Sequence, residues 1–279
     1  MLAVARVRWP IAILFFSIAL ARTAFAAVAG DAPFEFRSGL IWINVVSGGQ
    51  SLHFVLDSGA GNTVVDTQAA RRLKVPLGAV QQVRTVEGTA SAYEVNGFRA
   101  DLNGIPIKDD ALAVDLSKAS RACGSRIDGL LGQDFFRGRI VQLDFGAKRL
   151  RVGGKVDPGC CCASVPLRFC NDAMCVPVSV AGSKPRWTRL DTGCDEGLQW
   201  VSTLPGMTKA ARVSVGISQA GENCVRASVQ VGDEWVPNVK TTLHRNEIFP
   251  GEAGLLGNGV LSKYRVTIDA INRRVFLER

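Results

Sequence analysis

Phe54-Val55-Leu56-Asp57-Ser58-Gly59-Ala60 and, in the second half of the chain, Arg189-Leu190-Asp191-Thr192-Gly193-Cys194 are two versions of one pattern. In each, a strand-like run leads into Asp, a small hydroxyl residue and Gly. That combination sets a carboxylate in a tight turn where flanking backbone amides can reach it. Alone, an Asp-Ser-Gly or Asp-Thr-Gly is an ordinary turn. Here each copy is followed by its own Gly-Leu-Leu-Gly, at 129–132 and 254–257. Further on, Val141-Gln142-Leu143-Asp144 with Lys148-Arg149-Leu150 answers Val266-Thr267-Ile268-Asp269 with Arg273-Arg274-Val275 at a constant spacing of 125 residues. The unit that repeats is therefore a whole lobe.

The segments before each Asp read as hairpins. Leu40-Ile41-Trp42-Ile43-Asn44-Val45-Val46 is a strand, Ser47-Gly48-Gly49-Gln50 a turn, and 51–56 the return. Val176-Pro177-Val178-Ser179-Val180, a turn at 181–184 and the run into Asp191 parallel it. A short helix is expected over 67–73, ended by Pro76. Residues 81–98 suit two strands with Glu87-Gly88-Thr89 at the tip, and further strands are expected over 99–102, 111–114, 212–217 and 225–231. The break between the lobes falls near Gly153-Gly154-Lys155-Val156-Asp157-Pro158-Gly159, which is rich in turn formers.

The N-terminus carries Arg6 and Arg8, an apolar run over 9–20 and the small-x-small site Ala24-Phe25-Ala26, the pattern of a secretory signal peptide over residues 1–26. A retained anchor is the rival reading, but the apolar run is shorter than the roughly 20 residues that span a bilayer. Cleavage would remove Arg6, Arg8 and Arg22 and no acid, lowering the formal charge from +8 to +5. The densest basic group, Arg137, Arg139, Lys148, Arg149 and Arg151, alternates with apolar residues as a solvated strand face does, and no nucleic-acid motif accompanies it. All eight Cys (123, 160, 161, 162, 170, 175, 194 and 224) follow the signal segment. An even number in an exported chain predicts disulfides, with Cys170 and Cys175 placed to staple a loop, although eight Cys allow about 105 pairings. Zinc at Cys160-Cys161-Cys162 is the alternative, against which stand the missing ligand spacings and the presence of only two His.

At the two Asp turns and their Gly-Leu-Leu-Gly partners the chain resembles the two-lobed aspartic proteases, of pepsin-like, retropepsin-like and bacterial types. The resemblance implies an all-β, two-lobed acid-protease fold, each lobe a closed or partly open β-barrel, related by pseudo-two-fold symmetry. The lobes would be residues 27–155 and 156–279. It implies Asp57 and Asp191 as a catalytic pair, supported by Ser58, Gly59, Thr192 and Gly193, with Ser58 and Thr192 making crossed hydroxyl-to-backbone bonds and Gly88 on a flap over the cleft. Tyr93 is a weaker flap candidate. Two carboxylates sharing one proton can activate a water and supply a proton to the departing amine, so no cofactor and no metal is needed.

The implied protein is a secreted or periplasmic monomeric endopeptidase acting on peptides or proteins, with no nucleic-acid partner and no stable membrane anchor after signal cleavage. The second turn departs from the family pattern, because Cys194 stands where a small Ala, Ser or Thr is usual and Asp195-Glu196-Gly197 follows. A catalytically inactive peptide-binding or protein-binding member of the same fold is therefore the alternative. A Cys-His hydrolase using His53 or His244 would need a free thiolate, and Ser218 lacks the glycine of a nucleophile elbow.

Overall fold

A computed structural model describes residues 30–86, 88–107, 110–154, 163–202 and 224–279. The expected signal segment, the Cys160-Cys161-Cys162 triplet, Glu87 and the strand expected over 212–217 lie outside the described residues. No helix among the described residues is long and apolar enough to cross a membrane. The chain forms the all-β, two-lobed fold expected from the repeat, with one sheet in each lobe and a third between them.

In the first lobe, Leu40–Ser47 and Gln50–Leu56 form a hairpin whose two-residue turn, Gly48-Gly49, has φ of 56° and 75°. Positive φ at both positions matches the turn to the twist of the strands and favours glycine there. Gly129–Leu131 lies parallel to the second strand, with Gly129 opposite Phe54 and Leu131 opposite Leu56. Next come Val64–Asp66, Asp110–Val114 and Gly88–Asn96 in that spatial order. The second lobe repeats the order with Ala173–Val180, Arg186–Leu190, Gly254–Leu256, Leu198–Val201, Glu234–His244 and Cys224–Val231.

The two lobes differ in closure. Cys224–Val231 pairs back onto Ala173–Val180, joining Val178 to Val231, so six strands close a barrel. In the first lobe Leu40–Ser47 pairs with Ala100–Leu102 instead, and the sheet stays open.

The third sheet is antiparallel throughout, in the order Gly30–Pro33, Arg149–Val152, Ile140–Asp144, Arg265–Asp269, Arg274–Glu278 and Ala163–Pro166. At its centre Gln142 faces Thr267, with a hydrogen bond of 3.1 Å between their side chains. These two residues are 125 apart and occupy the same place in the repeat. An element that pairs with its own equivalent in this way lies on a two-fold axis. The basic group noted in the sequence is tied into this region: Arg149 pairs with Asp31 at 2.8 Å, and Arg139 donates to the Pro106 carbonyl at 2.8 Å.

Contacts between the lobes are reciprocal. Gln133 Nε2 donates to the Asp172 carbonyl (2.7 Å), in the turn that opens the second lobe's hairpin. Its equivalent Asn258 donates to the Gly39 carbonyl (2.8 Å), in the turn that opens the first lobe's hairpin. One hydrophobic core runs through all three sheets and includes Phe54, Leu131, Leu143, Leu190, Leu256 and Ile268. A smaller one, with Trp42, Val55, Leu116, Ala119 and Leu130, belongs to the first lobe alone. Part of it is Ser117–Cys123, a helix absent from the sequence expectations; at under two turns it has too little apolar periodicity to read. The expected helix is Thr67–Arg72, whose N-cap Asp66 accepts from the amides of Gln68 and Ala69 at 2.9 and 3.2 Å.

Both Gly-Leu-Leu strands pass so close to their neighbours that their first residue has no room for a side chain. A Cβ on Gly129 would overlap the Phe54 ring and the Val64 carbonyl, and one on Gly254, whose φ is 150°, the Gln199 carbonyl. Gly129→Ala and Gly254→Ala are each expected to destabilise the protein by about 1–3 kcal/mol or more. Gly146→Ala, where the nearest atom is 3.6 Å from the new Cβ, should leave the urea unfolding midpoint unchanged.

Candidate active site

Strand pairing brings the two Asp turns together. The amide of Asp57 donates to the Leu131 carbonyl (2.9 Å) and that of Asp191 to the Leu256 carbonyl (3.0 Å), so each Gly-Leu-Leu strand holds the start of its turn. Four hydrogen bonds then cross between the turns. Ser58 Oγ donates to the Leu190 carbonyl (2.8 Å) and accepts from the Thr192 amide (3.1 Å). Thr192 Oγ1 donates to the Leu56 carbonyl (2.8 Å) and accepts from the Ser58 amide (2.9 Å). Both hydroxyl residues are fully buried, so these bonds are their only means of replacing water.

The glycines set the carboxyl groups face to face. A Cβ on Gly59 would lie 2.5 Å from Asp191 Cγ, and one on Gly193 would lie 2.5 Å from Asp57 Cγ. Each carboxyl group thus occupies the space left by the missing side chain of the opposite turn. The two carboxyls are within hydrogen-bonding reach of each other. Burial pushes both up from the ordinary value of 3.8, and Asp191 rises further because the Asp57 charge faces it.

The turns differ in one bond. Asp57 Oδ1 accepts from the amides of both Gly59 and Ala60, each at 3.0 Å. Asp191 Oδ1 accepts from Gly193 at 2.9 Å; the amides of Ala60 and Cys194 each reach the backbone carbonyl of their own Asp, at 3.1 and 3.3 Å, and that of Ala60 is shared with the carboxyl. Two amides favour the charged form more than one, so the negative charge of the pair is biased to Asp57 and the proton to Asp191.

A cleft of about 470 Å³ opens over the pair. Val64, Leu112, Val114, Leu116 and Leu130 give it an apolar wall on the first-lobe side. Residues 83–86 line it from the hairpin formed by Leu77–Thr85 and Gly88–Asn96; Asn171, Arg189, Phe249 and Pro250 line it from the second lobe. The hairpin's first strand therefore meets the cleft. Gly88 is exposed outside the lining, with φ of 134°, and Tyr93 packs half-buried against the core.

Residues 43–135 match the family model described as aspartyl protease. The matched part is a third of the chain and holds the Asp57 turn with its Gly-Leu-Leu partner. No curated protein matches the chain. The match supports a peptidase of aspartyl protease type, and the crossed turns extend the same geometry to Asp191, beyond the matched residues.

The residues that make the second turn irregular are directed away from the pair. Cys194 is fully buried beneath Gly257, with Gln199 Nε2 at 3.8 Å from its sulfur. Asp195 lies against Gly39 of the first lobe. Glu196 is buried, accepting from Thr242 Oγ1 at 2.7 Å and pairing with Lys240 at 2.8 Å.

The disulfide expectation is corrected among the described residues. Cys123, Cys170, Cys175, Cys194 and Cys224 are all free thiols there. The even count was an argument from compartment, and it carried no geometry. Nor are these thiols activated nucleophiles: burial raises the thiols of Cys175 and Cys194, and that of Cys123 to about 11. His53 is exposed beside Arg37, Ser125 and Arg126, while His244 is buried, its imidazole pushed down from its usual value by burial. Among the described residues no cluster of His, Cys, Asp and Glu is arranged to hold a metal.

Sequence reading missed Arg189, Asn171, Phe249 and Glu252. Arg189 breaks the apolar run before Asp191 where Val55 keeps it before Asp57, and that break was the available signal.

A carboxyl held above its unfolded value opposes folding wherever the unfolded chain is ionised. The opposition is absent below about pH 3.8, where both states are protonated, and grows as pH rises toward the folded value. Asp191→Asn is therefore expected to stabilise the protein at pH 7, by about 1 kcal/mol or more. The gain should vanish near pH 3 when urea midpoints of the variant and the parent protein are compared at both pH values.

Proposed function

We propose that the protein is an exported aspartic endopeptidase of the two-lobed, pepsin-like and retropepsin-like kind, secreted or periplasmic. In this reading it acts as a monomer on peptides or proteins and needs no cofactor. The observation that carries the proposal is the mutual placement of Asp57 and Asp191, each filling the space beside the other's glycine, at the floor of the cleft.

In the proposed reaction Asp57, the ionised member, takes a proton from a water between the carboxyls. The water oxygen attacks the scissile carbonyl carbon, and Asp191 gives its proton to the carbonyl oxygen as that oxygen gains charge. Collapse of the tetrahedral intermediate re-forms the carbonyl and breaks the C–N bond. The proton held by Asp57 passes to the departing amine, and the hydroxyl proton returns to Asp191. One water is consumed, and the pair ends with the single proton it began with. An extended substrate would lie beneath the hairpin residues 83–86 and pair with backbone there as an added strand.

The raised carboxyls place the working range. The singly protonated pair exists only above the first ionisation, so the acid limb of activity is expected above pH 3.8. Cleavage of denatured protein substrates by the wild type, followed across pH, should show that limb. Asp57→Asn and Asp191→Asn should each lower kcat/KM by about 10²–10⁴-fold or more. A statine-type inhibitor, whose hydroxyl mimics the tetrahedral intermediate, should bind the wild type more tightly than either variant. Equal activity in all three proteins would overturn the assignment.

A further inference from the structure

Arg189 stands two residues before Asp191 on the strand Arg186–Leu190 and is buried, with 4% of its surface exposed. An arginine so placed must have its charge and its donors met. Its Nε and Nη2 each donate to an oxygen of Glu252 at 2.7 Å, and Glu252 is itself buried. Its guanidinium carbon lies 3.5 Å from the centre of the Phe249 ring. Asn171 Nδ2 donates to the Pro250 carbonyl at 2.6 Å, holding the loop that carries both Phe249 and Glu252.

The remaining group, Nη1, donates to the carbonyl oxygen of Gly59 in the opposite lobe at 2.6 Å. That carbonyl and the amide of Ala60 belong to one peptide unit, and the Ala60 amide donates to Asp57 Oδ1 at 3.0 Å. A cation on the oxygen side of this peptide and a carboxylate on its N–H side polarise it in the same sense, so each bond strengthens the other. The second turn has no such arrangement, because the position equivalent to Arg189 in the first lobe is Val55.

We propose that Arg189, held by Glu252 and Phe249, is a positioning residue that acts through the Gly59–Ala60 peptide to keep the charge of the pair on Asp57 and to set the pH range of its activity. This rests on the reading of Asp57 and Asp191 as the reacting pair. Other charged and titratable groups around the pair are Arg84 on the hairpin above, the Cys194 thiol behind the second turn, and the Cys175 thiol beside Arg189 and Glu252. Arg84 is exposed to water, the buried Glu196 is paired with Lys240 and directed away from the pair, and both thiols stay protonated because burial raises them, which leaves Arg189 and Glu252 as the buried charges in play.

The partners carry opposite charge, so their removal must shift activity in opposite directions. The test is the pH dependence of kcat/KM for Arg189→Met, Glu252→Gln and the double variant Arg189→Met/Glu252→Met. Loss of the cation should move both limbs to higher pH by about one unit. Loss of the anion leaves the cation uncompensated and should move both limbs to lower pH. The double variant, in which apolar side chains replace a buried pair, should fall between the two, and it keeps the test open where Arg189→Met does not fold.

A merely structural pair predicts lower activity with unmoved limbs, and that result, or shifts of the same sign in the two single variants, would overturn the proposal. Carboxyl titration of ¹³C-labelled aspartates, assigned with Asp57→Asn and Asp191→Asn, reads the same shifts without substrate. If the wild type cleaves nothing at any pH, the peptidase reading fails, and this titration still decides whether Arg189 governs the pair.

Discussion

Two carboxyl groups buried against each other are the constraint on which the rest of the structure depends. Each is almost wholly removed from water, and among the described residues no cation forms an ion pair with either to offset that loss. Left alone, such a pair would drive the turns apart or draw in solvent. What holds them is the set of four crossed bonds that Ser58 and Thr192 make with each other and with the carbonyls of Leu190 and Leu56. A single bond of this kind contributes about 1 kcal/mol net, but separating the lobes would strand every one of these buried donors and acceptors at once. The turns therefore behave as one object, although residues 132–136 apart build it.

The same logic recurs at increasing distance from the pair. Leu131 and Leu256 receive the first amide of each turn, Gln133 and Asn258 reach from one lobe into the other, and Gln142 meets Thr267 at the axis. The first two kinds of contact come in two copies related by the repeat, and the third joins the two halves at the axis, so a displacement that loosens one copy loosens its equivalent. Rigidity at the site follows from symmetry of the frame, and the unpaired first-lobe sheet does not compromise it, because its opening lies between Gly88–Asn96 and Leu40–Ser47 rather than at the turns. The hairpin at that opening has mostly exposed residues along Leu77–Thr85, so it is held chiefly by its own ladder and by Asp110–Val114. Few buried contacts make it the low-stability part of the first lobe, where residues 83–86 line the cleft.

What could be read in the sequence was what is local or repeated. The Asp turns, the Gly48-Gly49 hairpin and the Gly-Leu-Leu strands each announce themselves within a few residues, and the spacing of 125 between the Gly-Leu-Leu strands and between the segments that follow them marks two lobes. Closure of one barrel and not the other was not legible, since it turns on whether Cys224–Val231 or Ala100–Leu102 takes the free edge of a hairpin, and both are ordinary strands by pattern. The hairpin over the cleft was legible as a hairpin, yet which strand faces inward depends on its twist over the site, and residues 83–86 line the cleft while Gly88 does not. Glu252 is 63 residues from Arg189, with nothing in either neighbourhood to connect them. The thiols show the converse failure: counting cysteines presumes pairing, whereas Cys194 is packed as a small apolar side chain under Gly257.

A perfectly symmetric frame would leave the shared proton with no reason to favour either carboxyl. Chemistry that needs one base and one acid benefits from a bias already present before substrate arrives, since an environment oriented in advance costs no reorganisation during reaction. The two lobes depart from symmetry at the positions that supply this bias. The amides of Ala60 and Cys194 both reach the backbone carbonyl of their own Asp, but Ala60 shares its amide with Asp57 Oδ1 whereas Cys194 does not share its own with Asp191 Oδ1. Arg189 grips the peptide that carries the Ala60 amide, whereas Val55 is packed into the smaller apolar cluster of the first lobe. Both differences favour charge on the same residue, and both stem from the strand and turn around Asp191. The irregular second turn, which in sequence looks like decay of the motif, is on the proposed role of Arg189 the half that decides where the proton sits.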